Sequence, residues 1–201
     1  MTKTLPASKI HSEQDSFWSG CFGDNYIERN ISKTVVKNNY YFFKEIFYKN
    51  KLEIKSMIEM GPNIGLNIKA IKKICKLERV TGVEINQKAC FKLKNIKNVE
   101  VVNESILNFS TKKLYDLVLC KGILIHIDPK KIQRVFKSIY NVTKRGSHVL
   151  FAEYYSKDLK KIVYRNNTNK LFKDDFASKF LEKYNNFKLI DYGFCYHRDK
   201  Y

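Results

Sequence analysis

Five short apolar runs, spaced by helical stretches and polar turns, constrain this chain's fold more than any other feature. They lie at residues 57–60, 80–83, 99–102, 117–119 and 149–152 and are rich in the Val, Ile and Leu of buried strands. Residues 66–75 and 86–93 read as helices between them. A third helix is announced by Asp128 as N-cap and Pro129 at its first position, with Ile132, Val135, Phe136 and Ile139 as its buried stripe and Gly146 beyond its end. Strand–helix–strand repeats of this kind predict an α/β fold, a mostly parallel sheet with helices on both faces. A further helix over residues 32–50, capped by Ser32, offers Val35, Val36, Phe42, Phe43, Ile46 and Phe47 for burial. A late helix over 173–184 and a strand over 188–196 close the chain.

An open parallel sheet binds its ligand at the carboxyl ends of its strands. The turn after the first strand reads Glu59-Met60-Gly61-Pro62-Asn63-Ile64-Gly65. A dinucleotide turn requires Gly-x-Gly-x-x-Gly, and here Asn63 and Leu66 take the second and third glycine places. S-adenosylmethionine has no phosphate and does not need that arrangement, and Asn63 tolerates left-handed backbone. Glu84, ending the second strand with Ile85 after it, can accept both ribose hydroxyls of an adenosine. Glu104, Ser105 and Ile106, after the third strand, are placed for the adenine edge. Glu59, Gly61, Asn63, Gly65, Glu84, Ile85, Glu104, Ser105 and Ile106 are therefore the expected cofactor residues.

Length and composition bound the rest. A chain of 201 residues with 44% hydrophobic content fits one globular domain. No apolar run approaches the ~20 residues of a membrane helix. Residues 1–14 are polar and lack a signal core, which predicts a cytoplasmic protein. Cys21, Cys75, Cys90, Cys120 and Cys195 are scattered, with no Cys-x-x-Cys pair, and read as free thiols rather than a metal site. The formal charge of +18 invites nucleic acid as a partner. It resides almost wholly in lysines, with Arg29, Arg79, Arg134, Arg145, Arg165 and Arg198 the exceptions, whereas arginine suits bidentate phosphate and base contacts. A solvated lysine surface is the favoured reading and nucleic acid the lesser one.

From Ser16 onward the chain resembles the pseudaminic acid biosynthesis-associated methylases. The resemblance rests on residues 17–30 (Phe-Trp-Ser-Gly-Cys-Phe-Gly-Asp-Asn-Tyr-Ile-Glu-Arg-Asn), 58–67 and 120–127, then on Phe151-Ala152-Glu153-Tyr154-Tyr155, residues 171–176 and residues 191–199. It implies a class I methyltransferase fold using S-adenosylmethionine on a sugar or nucleotide-sugar intermediate of nonulosonic acid or related surface-glycan synthesis. Residues 165–170 lack the Gly-His-type residues of that place in the family. The seventh, antiparallel strand with which class I enzymes finish is also unaccounted for. Residues 1–30 read as an irregular, aromatic cap and 31–201 as the methyltransferase domain.

Methyl transfer is an in-line displacement, so alignment and water exclusion dominate. His126, after the fourth strand, is the expected catalytic base toward a hydroxyl acceptor. Lys121 ends that strand beside the cofactor. Tyr26 and Arg29 are expected to close over the cofactor, Arg29 pairing its methionyl carboxylate. Trp18, Tyr154, Tyr155, Arg165 and His197 are the substrate-binding candidates, with Glu153 accepting sugar hydroxyls. The rival readings are an RNA-binding or RNA-modifying enzyme and a non-catalytic cofactor-binding partner. Cys120-Lys121-Gly122-Ile123 stands where base methylases carry an Asn-Pro-Pro-Tyr-type motif, which disfavours the first.

Overall fold

A computed structural model describes residues 12–29 and 33–195. In chain order the elements are α1 (Glu13–Ser19), α2 (Cys21–Arg29), α3 (Lys33–Lys49), β1 (Ser56–Met60), α4 (Leu66–Ile71), β2 (Arg79–Glu84), α5 (Gln87–Leu93), β3 (Glu100–Asn103), β4 (Tyr115–Lys121), α6 (Ile132–Val142), β5 (Thr143–Ala152), β6 (Lys160–Tyr164), β7 (Asn167–Lys173) and α7 (Phe176–Lys183). Single 3₁₀ turns at Leu124–His126 and Pro129–Lys131 link β4 to α6. Ser32, expected as the cap of α3, lies outside the described residues.

Strands β1 to β5 form one parallel sheet in the order β3-β2-β1-β4-β5. All five expected strands are there, in a Rossmann-like arrangement. Both faces of the central strands are buried, as a parallel sheet requires. On β1, Met57 faces the cluster of Phe43, Phe47, Ile68 and Ile71, while its neighbour Ile58 faces that of Val135, Phe136, Ile139 and Phe180. Leu117 and Val118 divide in the same way on β4, because successive side chains leave a strand on opposite faces. Helices α3 and α4 thus cover one face, α6 and α7 the other. The expected stripe Ile132, Val135, Phe136 and Ile139 is buried throughout; each such side chain contributes roughly 1.5–3 kcal/mol.

Three expectations are corrected. The first segment is not irregular: Ser12 caps α1, its hydroxyl accepting from the Asp15 N–H while the Asp15 carboxylate accepts from the Ser12 N–H, each at 2.9 Å. Residues 188–195 form no strand. They have no neighbouring ladder, and Asp191 is instead anchored by Lys49 Nζ (2.7 Å) and Asn50 Nδ2 (2.9 Å). An antiparallel hairpin, β6–β7, stands in a separate two-stranded sheet where no strand was expected. Its turn places Arg165 (φ 48°) and Asn166 (φ 63°) in the left-handed region, the signature of a tight type I′ turn built without glycine.

Candidate functional site

A cavity of about 210 Å³ opens at the carboxyl ends of β1, β2 and β4. The turn after β1 forms its floor. Gly61 (φ 71°), Asn63 (φ 51°) and Gly65 (φ 77°) all adopt left-handed backbone, Asn63 as its side chain permits. Gly65 is favoured by its left-handed φ. Beyond its φ, a Cβ there would lie 2.5 Å from Ile96 Cδ1 and 2.6 Å from Leu93 Cδ1.

Glu84 organises this floor. It is buried, and its Oε2 accepts from the Asn63 N–H (2.8 Å) while Oε1 accepts from the Asn86 N–H (2.8 Å). Burial pushes its pKa up, against those backbone donors. Ile85, Ser105, Ile106 and Lys121 also line the cavity. Glu59 does not. Fully buried behind the turn, it accepts from Asn67 Nδ2 (2.6 Å), whose Oδ1 accepts in turn from Asn39 Nδ2 (2.8 Å). Burial raises the Glu59 carboxyl to about 7, with Asn67 and Lys121 opposing. Its Oε2 and the Asn63 Oδ1 are buried without a partner. Glu104 is half-buried and does not line the cavity: its N–H donates to the Glu84 carbonyl (3.1 Å) in continuation of the β3 ladder, and Ser105 is the next residue to reach the wall.

Helices α1 and α2 close the cavity. Gln14, Asp15, Trp18, Gly23 and Tyr26 contribute to its wall. Asp15 accepts from Ser105 Oγ (2.8 Å), which ties α1 to the end of β3. Asn86 Nδ2 donates to the Trp18 carbonyl (3.1 Å) and to Asp24 Oδ1 (2.9 Å), fastening both helices to the start of α5. Sequence reasoning missed Asp15 and Asn86, although a capping box and an N-cap mark them; neither pattern discloses a long-range partner.

His126 lies on the cavity wall opposite the floor, 6% exposed. Its Nδ1 is 2.6 Å from the Lys170 carbonyl on β7. A carbonyl only accepts, so Nδ1 carries the proton and Nε2 is bare. Trp18 packs on the ring at 4.5 Å and Tyr164 at 5.1 Å. Burial drives the imidazole pKa down to about 4. Glu153 is also reassigned. It receives the backbone N–H groups of Ile123 (3.0 Å), Leu124 (3.1 Å) and Ile125 (3.4 Å), so it holds the turn bearing His126 and is committed to that task.

The remaining candidates fall outside the cavity. Arg29, at the end of α2, is exposed and stacks over Phe22 (5.4 Å) and Tyr26 (5.7 Å), because helical spacing puts it on the outer side of those rings. Tyr154 and Tyr155 are 56% and 52% exposed. The chain turns outward once Glu153 has turned in, leaving Tyr154 beneath Lys173 Nζ (5.6 Å) and Tyr155 against Phe194 (5.7 Å). Arg165 is exposed at the hairpin turn. His197 lies outside the described residues.

A glycine turn on a parallel sheet with an acidic second strand end is matched by a family model, described as a methyltransferase domain, over residues 58–151. Residues 58–151 form a methyltransferase domain. It is of the S-adenosylmethionine-dependent kind, and it contains the turn, Glu84, Lys121 and His126. No curated protein matches the sequence. Solved structures of the same fold include the plantazolicin methyltransferase BpumL in complex with SAH, at 17% identity and TM-score 0.57 over 71% of this chain and 57% of that one. The sugar N-methyltransferase KedS8 from Streptoalloteichus sp ATCC 53650 aligns at 10% identity and TM-score 0.57, over 82% of this chain and 67% of its own. CalS10, an amino pentose methyltransferase from Micromonospora echinaspora solved with SAM bound, aligns at 10% identity and TM-score 0.55, over 73% and 64%. The chain thus spans 57% of the length of BpumL. Among the described residues no helix is long and apolar enough to cross a membrane.

Proposed function

We propose that the protein transfers the methyl group of S-adenosylmethionine to a sugar or nucleotide-sugar intermediate of surface-glycan synthesis. The observation that carries this reading is the composition of the cavity wall beyond the domain's cofactor turn. Trp18 and Tyr26 present aromatic faces there, with Gln14 and His126 as polar edges. Aromatic faces pack against sugar rings while polar edges meet hydroxyls. The Trp18 indole N–H is buried without a partner, so the wall holds a donor in want of an acceptor.

The floor fits the cofactor. On that floor Asn63 Oδ1 is an acceptor without a donor, while an adenosyl amino acid brings an ammonium and ribose hydroxyls. Glu84 would hold the ribose, Gly61 to Gly65 would admit the amino-acid portion, and Ser105 and Ile106 would border the adenine. With Arg29 turned outward, Lys121 is the cation on the cavity wall, suited to the methionyl carboxylate. When bound, S-adenosylmethionine supplies a methyl group on a positively charged sulfur. The chain's own task is to align the acceptor and exclude water, which α1 and α2 do by covering the floor.

The test is mass spectrometry of nucleotide-linked and free sugars after incubation with methyl-labelled S-adenosylmethionine. Label in a sugar product supports the reading. Label found only in peptide or RNA offered in parallel overturns it.

A further inference from the structure

We propose that the atom methylated is an amine nitrogen, so that the acceptor is an amino sugar seated in the cavity against the wall that His126, Trp18 and Tyr26 share. The inference rests on the sugar reading above and names the acceptor atom within it.

A hydroxyl and an amine make different demands on a methylating site. A hydroxyl attacking an electrophilic methyl becomes a strongly acidic oxonium, so its proton must leave to a base as the bond forms. A neutral amine attacks with a free lone pair. Its nitrogen forms the new C–N bond, the C–S electron pair returns to sulfur to leave a thioether, and the resulting ammonium later releases one proton to water. An amine site therefore needs a hydrogen-bond acceptor to aim the lone pair and a surface that tolerates positive charge, but no strong base.

The cavity matches the second description. Among the described residues His126 is the imidazole on its wall, and the group orienting it is a neutral carbonyl, that of Lys170. In hydrolytic triads a carboxylate stands in that place and stabilises the imidazolium; here nothing of that charge does. The elements packed on the ring bring Trp18 from α1, Tyr164 from β6 and Lys170 from β7, whose ammonium is turned away to Glu13. Its burial and lowered pKa agree with a ring that stays neutral.

The carboxylates around the cavity are engaged. Asp15 accepts from the Ser12 N–H and Ser105 Oγ, Glu84 from two backbone N–H groups, and Glu153 from three. Glu59 is walled off behind the turn. What the acceptor end does offer is His126 Nε2, able to accept an amine N–H, and two aromatic rings set at 89° with centroids 5.3 Å apart. Such faces stabilise the ammonium formed by transfer. The unpartnered Trp18 N–H then donates to an oxygen next to the amino carbon.

The experiment uses the whole protein with nucleotide-linked sugars in matched pairs, amino against hydroxyl at a single carbon. Product NMR locates the methyl, and calorimetry measures each sugar's binding to protein saturated with S-adenosylhomocysteine. Methyl on nitrogen, with the hydroxyl partners unmethylated, is the expected result. His126→Gln should then raise KM more than it lowers kcat, whose loss should stay under about 10-fold, short of the 10²–10⁴-fold of a lost general base. Trp18→Phe, which keeps the ring and removes the N–H, should weaken sugar binding in the calorimeter. Methyl on oxygen overturns the amine assignment and leaves the sugar reading standing. No transfer to either set, with S-adenosylhomocysteine bound normally, overturns the sugar reading and this inference with it.

Discussion

Replacing Glu153 tests whether the turn that carries His126 is held by a single side chain. Glu153→Ala removes the acceptor for three backbone N–H groups, two at 3.0–3.1 Å and one at 3.4 Å. A hydrogen bond to a charged acceptor contributes about 1.5–3 kcal/mol. Burial raises this carboxyl to about 7, so near neutral pH it is only partly ionised and the lower end applies. The two short bonds then give a loss of about 3 kcal/mol. For a chain of this size that corresponds to a Tm lower by about 6–12 °C. Glu153→Gln keeps one oxygen for Ile123 and Leu124 but turns an NH₂ toward the Ile125 N–H, costing about 1 kcal/mol, or about 2–4 °C. Turnover measured well below both melting points should fall in the Ala variant by less than about 10-fold in kcat, with a raised KM, because a displaced turn misplaces His126 and replacing His126 itself costs no more. Differential scanning calorimetry and the methyl-transfer assay read the two effects separately. An Ala variant melting within about 2 °C of the parent, with unchanged turnover, would show that the three bonds do not hold the turn.

Four further outcomes are expected. Glu84→Gln should weaken S-adenosylhomocysteine binding by about 1–3 kcal/mol in a calorimeter; unchanged affinity in a folded variant would remove Glu84 from the ribose. Glu59 has its pKa raised from 4.5 to about 7, so its favourable protonated state is fully present below pH 4.5 and is lost as pH rises through 7. Urea titrations should therefore show Glu59→Gln gaining on the parent across that window, by up to about 3 kcal/mol, and parallel curves would refute the buried acid. His126, lowered to about 4, acts in the opposite sense, its contribution present above pH 6.5 and lost as pH falls through 4. If the lysine surface is only solvated, RNA binding should be weak and collapse toward ~0.2 M salt, and tight sequence-selective binding there would reinstate an RNA substrate.

What the sequence determined was what a residue's near neighbours decide. Periodicity marked β1 to β5 and the buried stripe of α6, because burial on a two-sided parallel sheet writes apolar runs into the chain. The turn at Gly61, Asn63 and Gly65 was legible for the same reason, since left-handed backbone selects its residues locally. The hairpin β6–β7 was not: its strands are mostly polar and Arg165-Asn166 turns it without glycine, so neither alternation nor turn residue betrayed it. The expected strand at 188–196 shows the converse, for a β-prone run becomes a strand only where another strand offers a ladder, and residues 188–195 have none. Tertiary structure alone decided the chemistry of the site. It set Lys170 against His126 across 44 positions, turned Glu153 inward to hold the loop, and swung Arg29, Tyr154 and Tyr155 outward. A residue's type limits what it can bond to, but its partner, its burial and hence its protonation depend on groups distant in the chain and near only after folding.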